Sequence, residues 1–278
     1  MSVVVPACGR TEALGRCLAA LAAQQLDGGL DVIVSVDGPD PSASAVREAA
    51  PEGLDLQVIQ SAQTGPAGAR NRGAAAAARP LLAFVDDDCE PADGWAAALV
   101  AALERDPDAL VGGPLLNPYP RDSSAAASHA ITEALYDCST FDFLPSANLA
   151  LRRDRFEILG GFNESFPTAA AEDREFCARA LGRGMRVVPV DTTTVLHHRS
   201  SSPVRLWRQY AEYGRGARRL ARLRESAGQP PVRAGRGFPG ALSRSTVRAA
   251  RQARSPAVLP LVGLTQLATA WGYATCRR

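Results

Sequence analysis

Leu81-Leu82-Ala83-Phe84-Val85-Asp86-Asp87-Asp88-Cys89-Glu90-Pro91 is the stretch whose reading decides the fold. An uninterrupted apolar run feeds directly into three consecutive carboxylates. A run of this kind reads as a strand buried on both faces, as parallel strands of α/β proteins are. Ligands of open α/β sheets bind beyond the carboxyl ends of the strands, where Asp86, Asp87 and Asp88 fall. Three adjacent carboxylates repel one another and resist ionising together unless a cation or hydrogen-bond donors compensate them. A divalent ion with hard oxygen ligands is the economical compensation. A solvated acidic turn is the competing account.

The residues upstream repeat a strand-then-helix rhythm. Val3–Val5 followed by Pro6 is a short buried strand entering a loop, and Thr11 and Glu12 start a helix with Leu14, Cys17, Leu18 and Leu21 at helical spacing. Val32–Val36 is a second strand, ending in Asp37-Gly38-Pro39. A carboxylate at such a strand end suits hydrogen bonds to a nucleoside, and equally suits a turn. A helix near Ser42–Ala50 and a strand at Leu56–Ile59 follow. Gly65-Pro66-Ala67-Gly68-Ala69-Arg70-Asn71-Arg72-Gly73 then opens an alanine-rich helix with Pro66 in its first turn. Its free N–H groups and arginines suit a phosphate, although a helix with solvated arginines reads as well from the same residues. The βα units leading to Leu81–Val85 predict a parallel, doubly wound α/β sheet.

Downstream, Trp95–Glu104 reads as a helix, Ala109–Gly112 as a strand and Asp122–Tyr136 as a helix. The segment from Ser146 to Arg153, containing Asn148, reads as a strand running into a helix that stops at Gly160-Gly161-Phe162. Ala171-Glu172-Asp173 starts another helix, where acidic residues meet a favourable dipole. Arg186–Val190 and Thr193–Leu196 read as strands, the second ending at His197-His198.

Composition narrows the chemistry. All 31 basic residues among 278 are arginine, which excludes a Walker lysine and a Schiff-base lysine. Six cysteines are scattered without CxxC spacing, which argues against a zinc site or redox pair and fits a reduced cytoplasmic setting. The first strand begins at Val3 with no basic-then-apolar signal segment before it, and a cytosolic protein is expected. From Arg199 onward there are 16 Arg against Glu212 and Glu225, whereas the preceding part carries 15 basic and 27 acidic residues. An acidic body with a basic tail predicts that the tail meets an anionic surface, such as the inner face of the cell membrane. Within the tail, Val204–Leu223 reads as an arginine-rich helix and Gly228–Gly240 as a linker. Ala257–Thr275 is short and polar for a spanning helix, and reads either as a peripheral amphipathic helix or as a packed terminal one.

Val3-Val4-Val5-Pro6, Val32-Ile33-Val34-Ser35-Val36-Asp37-Gly38, Gly65–Gly73 and Phe84-Val85-Asp86-Asp87-Asp88, in this order and spacing, resemble the nucleotide-binding half of a family 2 glycosyltransferase. Glu172-Asp173-Arg174-Glu175-Phe176 resembles that family's Glu-Asp motif. The chain departs from the family at Ala7-Cys8-Gly9-Arg10, where a Tyr-Asn pair is common, and at Asp37, which stands without its usual acidic neighbour.

The resemblance implies a GT-A fold over residues 1–200, with a nucleotide-sugar half (1–115) and an acceptor half (116–200), followed by a basic helical extension (201–278). It implies inverting transfer from a nucleotide sugar to an acceptor hydroxyl, as in synthesis of cell-surface polysaccharide, glycolipid or natural-product glycosides. Pro6, Asp37, Arg70, Asn71, Asp86 and Asp87 would face the donor. Asp88 and Asp86, with His197 or His198, would hold Mn²⁺ or Mg²⁺. Asp173 would be the base with Glu172 beside it, and Asn148, Gly160 and Gly161 would lie on the acceptor side. Nucleic acid is not an expected partner. A nucleotidyltransferase would need a better glycine-rich loop than Gly9-Arg10, and a dinucleotide-dependent oxidoreductase a GxGxxG that Pro6–Glu12 lacks. An inactive nucleotide-sugar-binding scaffold at the membrane would not require Asp86–Asp88 and Asp173.

Overall fold

The computed structural model describes residues 1–40, 42–137, 143–199, 202–230 and 237–276. Among them the strands are β1 (Ser2–Ala7), β2 (Asp31–Asp37), β3 (Leu56–Ser61), β4 (Leu81–Phe84), β5 (Cys89–Pro91), β6 (Ala109–Gly112), β7 (Leu115–Leu116), β8 (Leu149–Arg152), β9 (Arg186–Pro189) and β10 (Val195–His197). The helices are α1 (Thr11–Ala22), α2 (Ala43–Ala49), α3 (Pro66–Ala76), α4 (Trp95–Arg105), α5 (Ser123–Asp137), α6 (Arg153–Leu159), α7 (Glu172–Gly182), α8 (Pro203–Ser226), α9 (Phe238–Ala253) and α10 (Val258–Thr275). The chain divides into two compact units: Met1–Leu116, Phe141–Pro167 and Glu172–His198 form the first, and Asn117–Thr140, Thr168–Ala171 and Arg199–Arg278 the second. Asn117–Thr140, expected within the acceptor half, thus groups with the C-terminal residues. Helix α5 joins the C-terminal helices because Ala126, Ala127 and Ala130 share a core with Ala249, Ala253, Val258 and Val262.

In the first unit the central sheet has the order β3-β2-β1-β4-β8-β6-β9. Its first four strands pair in parallel, and β8 runs antiparallel to both β4 and β6. The order reverses at β1, which lies between β2 and β4, so the carboxyl ends of β1 and β4 open on the crevice where such sheets bind ligands. Alternating side chains build a core on each face. Val3, Val5, Val34, Ala83 and Val85 face Leu14, Leu18, Trp95 and Leu99 of α1 and α4. Val4, Ile33, Leu82 and Phe84 face Ala67, Phe156 and Phe176 of α3, α6 and α7. Helix α3 lies so close to the sheet that a Cβ on Gly73 would overlap the side chain of Val4. A second small sheet, β5-β10-β7, carries the chain from the aspartates to the two histidines.

The second unit is helical. α8 and α10 cross at small residues: a Cβ on Gly214 would strike the Thr269 carbonyl, and one on Gly272 the Ala211 carbonyl. The expected linker is corrected at its end, where Phe238–Gly240 already belong to α9, while residues 231–236 lie outside the described residues. Among the described residues no helix is long and apolar enough to cross a membrane.

Candidate active site

Past β4, Val85 still donates to the Val4 carbonyl, and a turn closed by the Cys89 N–H on the Asp86 carbonyl presents the three aspartates. Each finds a different partner. Asp86 is bonded to Nη2 of Arg70 at 2.7 Å. Asp87 accepts from the Cys8 backbone N–H at 3.2 Å and pairs with Arg10. Asp88 pairs with Arg10 through Oδ2 and lies 3.3 Å from Nε2 of His197 through Oδ1. Burial, opposed by Arg10 and reinforced by Asp88 and Asp86, pushes the Asp87 carboxyl up to about 7. Charge compensation therefore comes from two arginines. Arg10 has little signal in the sequence, because it reaches Asp87 and Asp88 across 77 and 78 positions of chain.

Arg70 is 2% exposed and its other nitrogen, Nη1, donates to Glu172 at 3.0 Å. One buried guanidinium thus joins the acidic strip after β4 to the acidic pair that opens α7. Phe162 underlies it, with the guanidinium 5.6 Å from the ring centre. That ring belongs to a cluster with Phe84, Phe156 and Phe176, stacked on Phe176 at 4.5 Å. Asp173 is half-buried beside Glu172, and its Oδ1 accepts the Arg174 N–H at 2.7 Å. Burial raises both carboxyl pKa values, and the charge of Arg70 draws both back down.

The paired histidines separate. His197 stands opposite Cys89 in the β10–β5 ladder, so their side chains share a face. His198 instead meets Glu90 at 2.6 Å, and its N–H donates to the Asp88 carbonyl. One ligand atom each from Asp88, Cys89 and His197 lies within 4.8 Å of the others, a set that His198 does not join. A carboxylate and an imidazole 3.3 Å apart have the spacing of two ligands on one ion at about 2.1 Å from each. Carboxylate suits Mg²⁺ or Mn²⁺, and imidazole tilts the pair toward transition ions.

Several expected site residues are occupied elsewhere. Asp37 accepts from the Thr64 and Gly65 N–H groups at 2.8 and 2.9 Å and pairs with Arg72, fixing the turn at the head of α3. Asn71 donates to the Phe162 carbonyl and to Glu164 and accepts the Phe162 N–H, so its amide clamps the turn after α6. Gly161 has φ +72°, and a Cβ there would strike that amide; Gly160 caps α6 in the left-handed region. Asn148, expected on the acceptor side, has its amide engaged in the core. It is fully buried, accepts from the Trp95 indole at 2.9 Å and donates to the Thr193 carbonyl at 2.6 Å. Pro6 is half-buried near the carboxyl end of β1.

Residues 2–157 match the family model described as Glycosyl transferase family 2. The pre-mycofactocin glycosyltransferase of Mycobacterium tuberculosis is 30% identical over 235 residues, covering 80% of this chain and 47% of that protein. Glycosyltransferase AglE of Haloferax volcanii is 27% identical over 168 residues, covering 58% of this chain and 55% of that protein. The chain thus spans about half the length of these curated relatives. A mannosyltransferase from Pyrobaculum calidifontis, solved with GDP-Man and Mn²⁺, superposes with a TM-score of 0.62 at 20% identity, over 99% of this chain and 81% of that one. Residues 1–349 of Staphylococcus aureus TarS give 0.57 at 16% identity, over 99% and 89% of the two chains. The sheet order, the placement of the acidic strip and the match across more than half of the chain agree: this chain belongs to glycosyl transferase family 2 and has the GT-A fold.

Proposed function

We propose that this chain is an inverting, metal-dependent glycosyltransferase that moves a sugar from a nucleotide-sugar donor to an acceptor hydroxyl. The observation that carries the reading is Arg70, which draws Asp86 and Glu172 onto one guanidinium across 102 residues of sequence. It brings the acidic strip and the Glu172-Asp173 pair to one place in the first unit. A solvated acidic turn would not be built around a buried arginine.

Asp88 and His197 would hold the divalent ion, with Cys89 beside them; when bound, the ion supplies positive charge for the departing diphosphate. Pro6 and Asp37, toward the carboxyl ends of β1 and β2, border the donor's nucleoside, and Asp86 and Asp87 face ribose and sugar. Asp173 takes the proton of the acceptor hydroxyl as that oxygen bonds to the anomeric carbon. The bond from that carbon to the diphosphate oxygen breaks, and a single displacement inverts the centre. Burial favours this role, because a carboxylate with a raised pKa holds a proton more strongly. Glu172 is a positioning residue, held by Arg70. Cys8, Cys17 and Cys177 are free thiols, in keeping with the expected reducing cytoplasmic setting.

The anomeric configuration of the product, read from proton NMR coupling constants, tests the reaction: the opposite configuration to the donor is expected, and retention contradicts a single displacement. The pH dependence tests the base. A base must be ionised, and burial raises the pKa of Asp173, so the acid limb of kcat/KM is expected above the ordinary aspartate range, with activity rising as pH rises through it. A limb at the pKa of an exposed aspartate would exclude Asp173.

The histidines give a third test. His197→Ala is expected to weaken Mn²⁺ binding, read by water-proton relaxation, by at least about ten- to a hundredfold, since that much is typically lost when only a hydrogen-bond partner of a ligand is removed. His198→Ala is expected to leave it within a fewfold. The reverse pattern would reassign the ligand.

A further inference from the structure

A surface helix ordinarily turns one apolar stripe inward and a charged face outward. Helix α10 does not. Its 18 residues, Val258–Thr275, include no charged side chain. Val258, Val262, Thr265, Ala268 and Gly272 are buried in the second unit. Leu259, Gly263, Leu267, Ala270 and Ala274 recur at three- and four-residue spacing on the opposite side, and all are exposed. Leu267 is 66% exposed, the most of any large apolar residue among those described.

Arginines border this stripe at both ends. Exposed Arg251 and Arg254 precede α10. At its far end, Arg215 of α8 lies over the ring of Trp271 at 5.4 Å and Arg218 over that of Tyr273 at 5.3 Å, while Arg222 reaches the Cys276 carbonyl. Trp271 and Tyr273 are themselves 46% and 40% exposed. The second unit therefore offers a neutral apolar helix face with two aromatic rings, flanked by guanidinium groups.

We propose that this face of α10 docks on an anionic lipid surface, lying in the headgroup layer without crossing it. The charge pattern selects the partner. A second copy of the chain would bring the same arginines against themselves, whereas an anionic bilayer supplies phosphates for Arg215, Arg218, Arg251 and Arg254 and acyl chains for Leu259 and Leu267. Tryptophan and tyrosine, with an apolar body and a polar tip, suit the boundary between the two. An 18-residue helix is about 27 Å long, and no helix among the described residues is apolar enough to span. The proposal concerns the second unit alone and does not depend on the chemistry of the first.

The test is co-sedimentation of the full chain with phosphatidylcholine vesicles, with and without phosphatidylglycerol, alongside tryptophan emission. The chain is expected to sediment with the phosphatidylglycerol vesicles, with a blue shift that Trp271→Phe abolishes. Leu267→Glu, at an exposed position, is expected to lower the partition coefficient about tenfold or more with an unchanged melting temperature. Arg218→Ala is expected to lower it about fivefold at low salt and less at high salt. No binding to either vesicle overturns the proposal, as does equal binding by wild type and Leu267→Glu. Dimers that Leu267→Glu dissociates, without vesicle binding, overturn it in favour of a second copy.

Discussion

Asp173→Asn is expected to lower the rate of sugar transfer by about 10²- to 10⁴-fold while leaving donor affinity within a fewfold of wild type. The amide fills the same volume and still accepts the Arg174 N–H that Asp173 receives at 2.7 Å, so the head of α7 keeps its geometry. What is lost is the ability to take a proton. Steady-state transfer and calorimetric donor titration, run on the same preparation, separate chemistry from binding. Transfer near the wild-type rate would remove Asp173 from the mechanism. Glu172→Gln makes the contrast: its partner is Arg70 rather than the acceptor, so a weaker loss of rate accompanied by lower stability is expected.

Arg70→Met should be among the most destabilising single substitutions in the first unit. The guanidinium is 2% exposed and serves Asp86 at 2.7 Å and Glu172 at 3.0 Å, so methionine would fill much of the space while leaving two carboxylates without their cation. Removing one partner of a buried ion pair typically costs about 3–5 kcal/mol. The sign of the pH dependence follows from proton uptake. Arg70 lowers the Glu172 pKa in the folded chain, so its removal raises that pKa further above the unfolded value. The penalty is then full above the raised folded pKa and fades as pH falls through it, because the carboxyl takes up a proton. Urea unfolding at pH 8 and pH 5, interpreted with this linkage, should show a larger loss at the higher pH. A loss under about 1 kcal/mol at both would mean that Arg70 is not the tie between the two acidic segments.

The parallel half of the sheet was legible from sequence because its strands are dominated by apolar residues and end in turns, with β1 and β4 the most nearly continuous runs. Val32–Val36 lies within its observed strand, Leu81–Val85 overruns its strand by one residue, and Pro66 and Gly160 mark helix ends as their backbone constraints demand. The small sheet was harder to read. β5 and β10 are three residues each and carry no period of their own, and their partnership spans more than 100 residues. That pairing decides which histidine meets Asp88, so the two histidines stayed equivalent until the strand placed them on opposite faces.

Polar residues inside the motifs share a structural use that their sequence does not show. Asn71 and Asn148 sit in segments that resemble the family, and their amides bond the backbone, Glu164 and a core tryptophan. Buried amides are held where hydrogen-bond groups need satisfying, and sequence does not show which groups those are. Helix α9 was hidden for a different reason. Gly237, Pro239 and Gly240 read as a linker, yet Pro239 occupies the first turn of a helix, where its missing N–H costs nothing.

The central claim is that the strip Asp86–Asp88, with His197, forms a metal-assisted nucleotide-sugar site. It is tested most directly by thermal shift with UDP-, GDP- and dTDP-sugars, with and without Mn²⁺, on wild type and Asp88→Ala. One nucleotide class is expected to raise the melting temperature of the wild type in the presence of Mn²⁺, with a smaller rise without it, and Asp88→Ala is expected to lose the Mn²⁺-dependent part. An equal shift with and without Mn²⁺, unchanged in Asp88→Ala, would contradict the account.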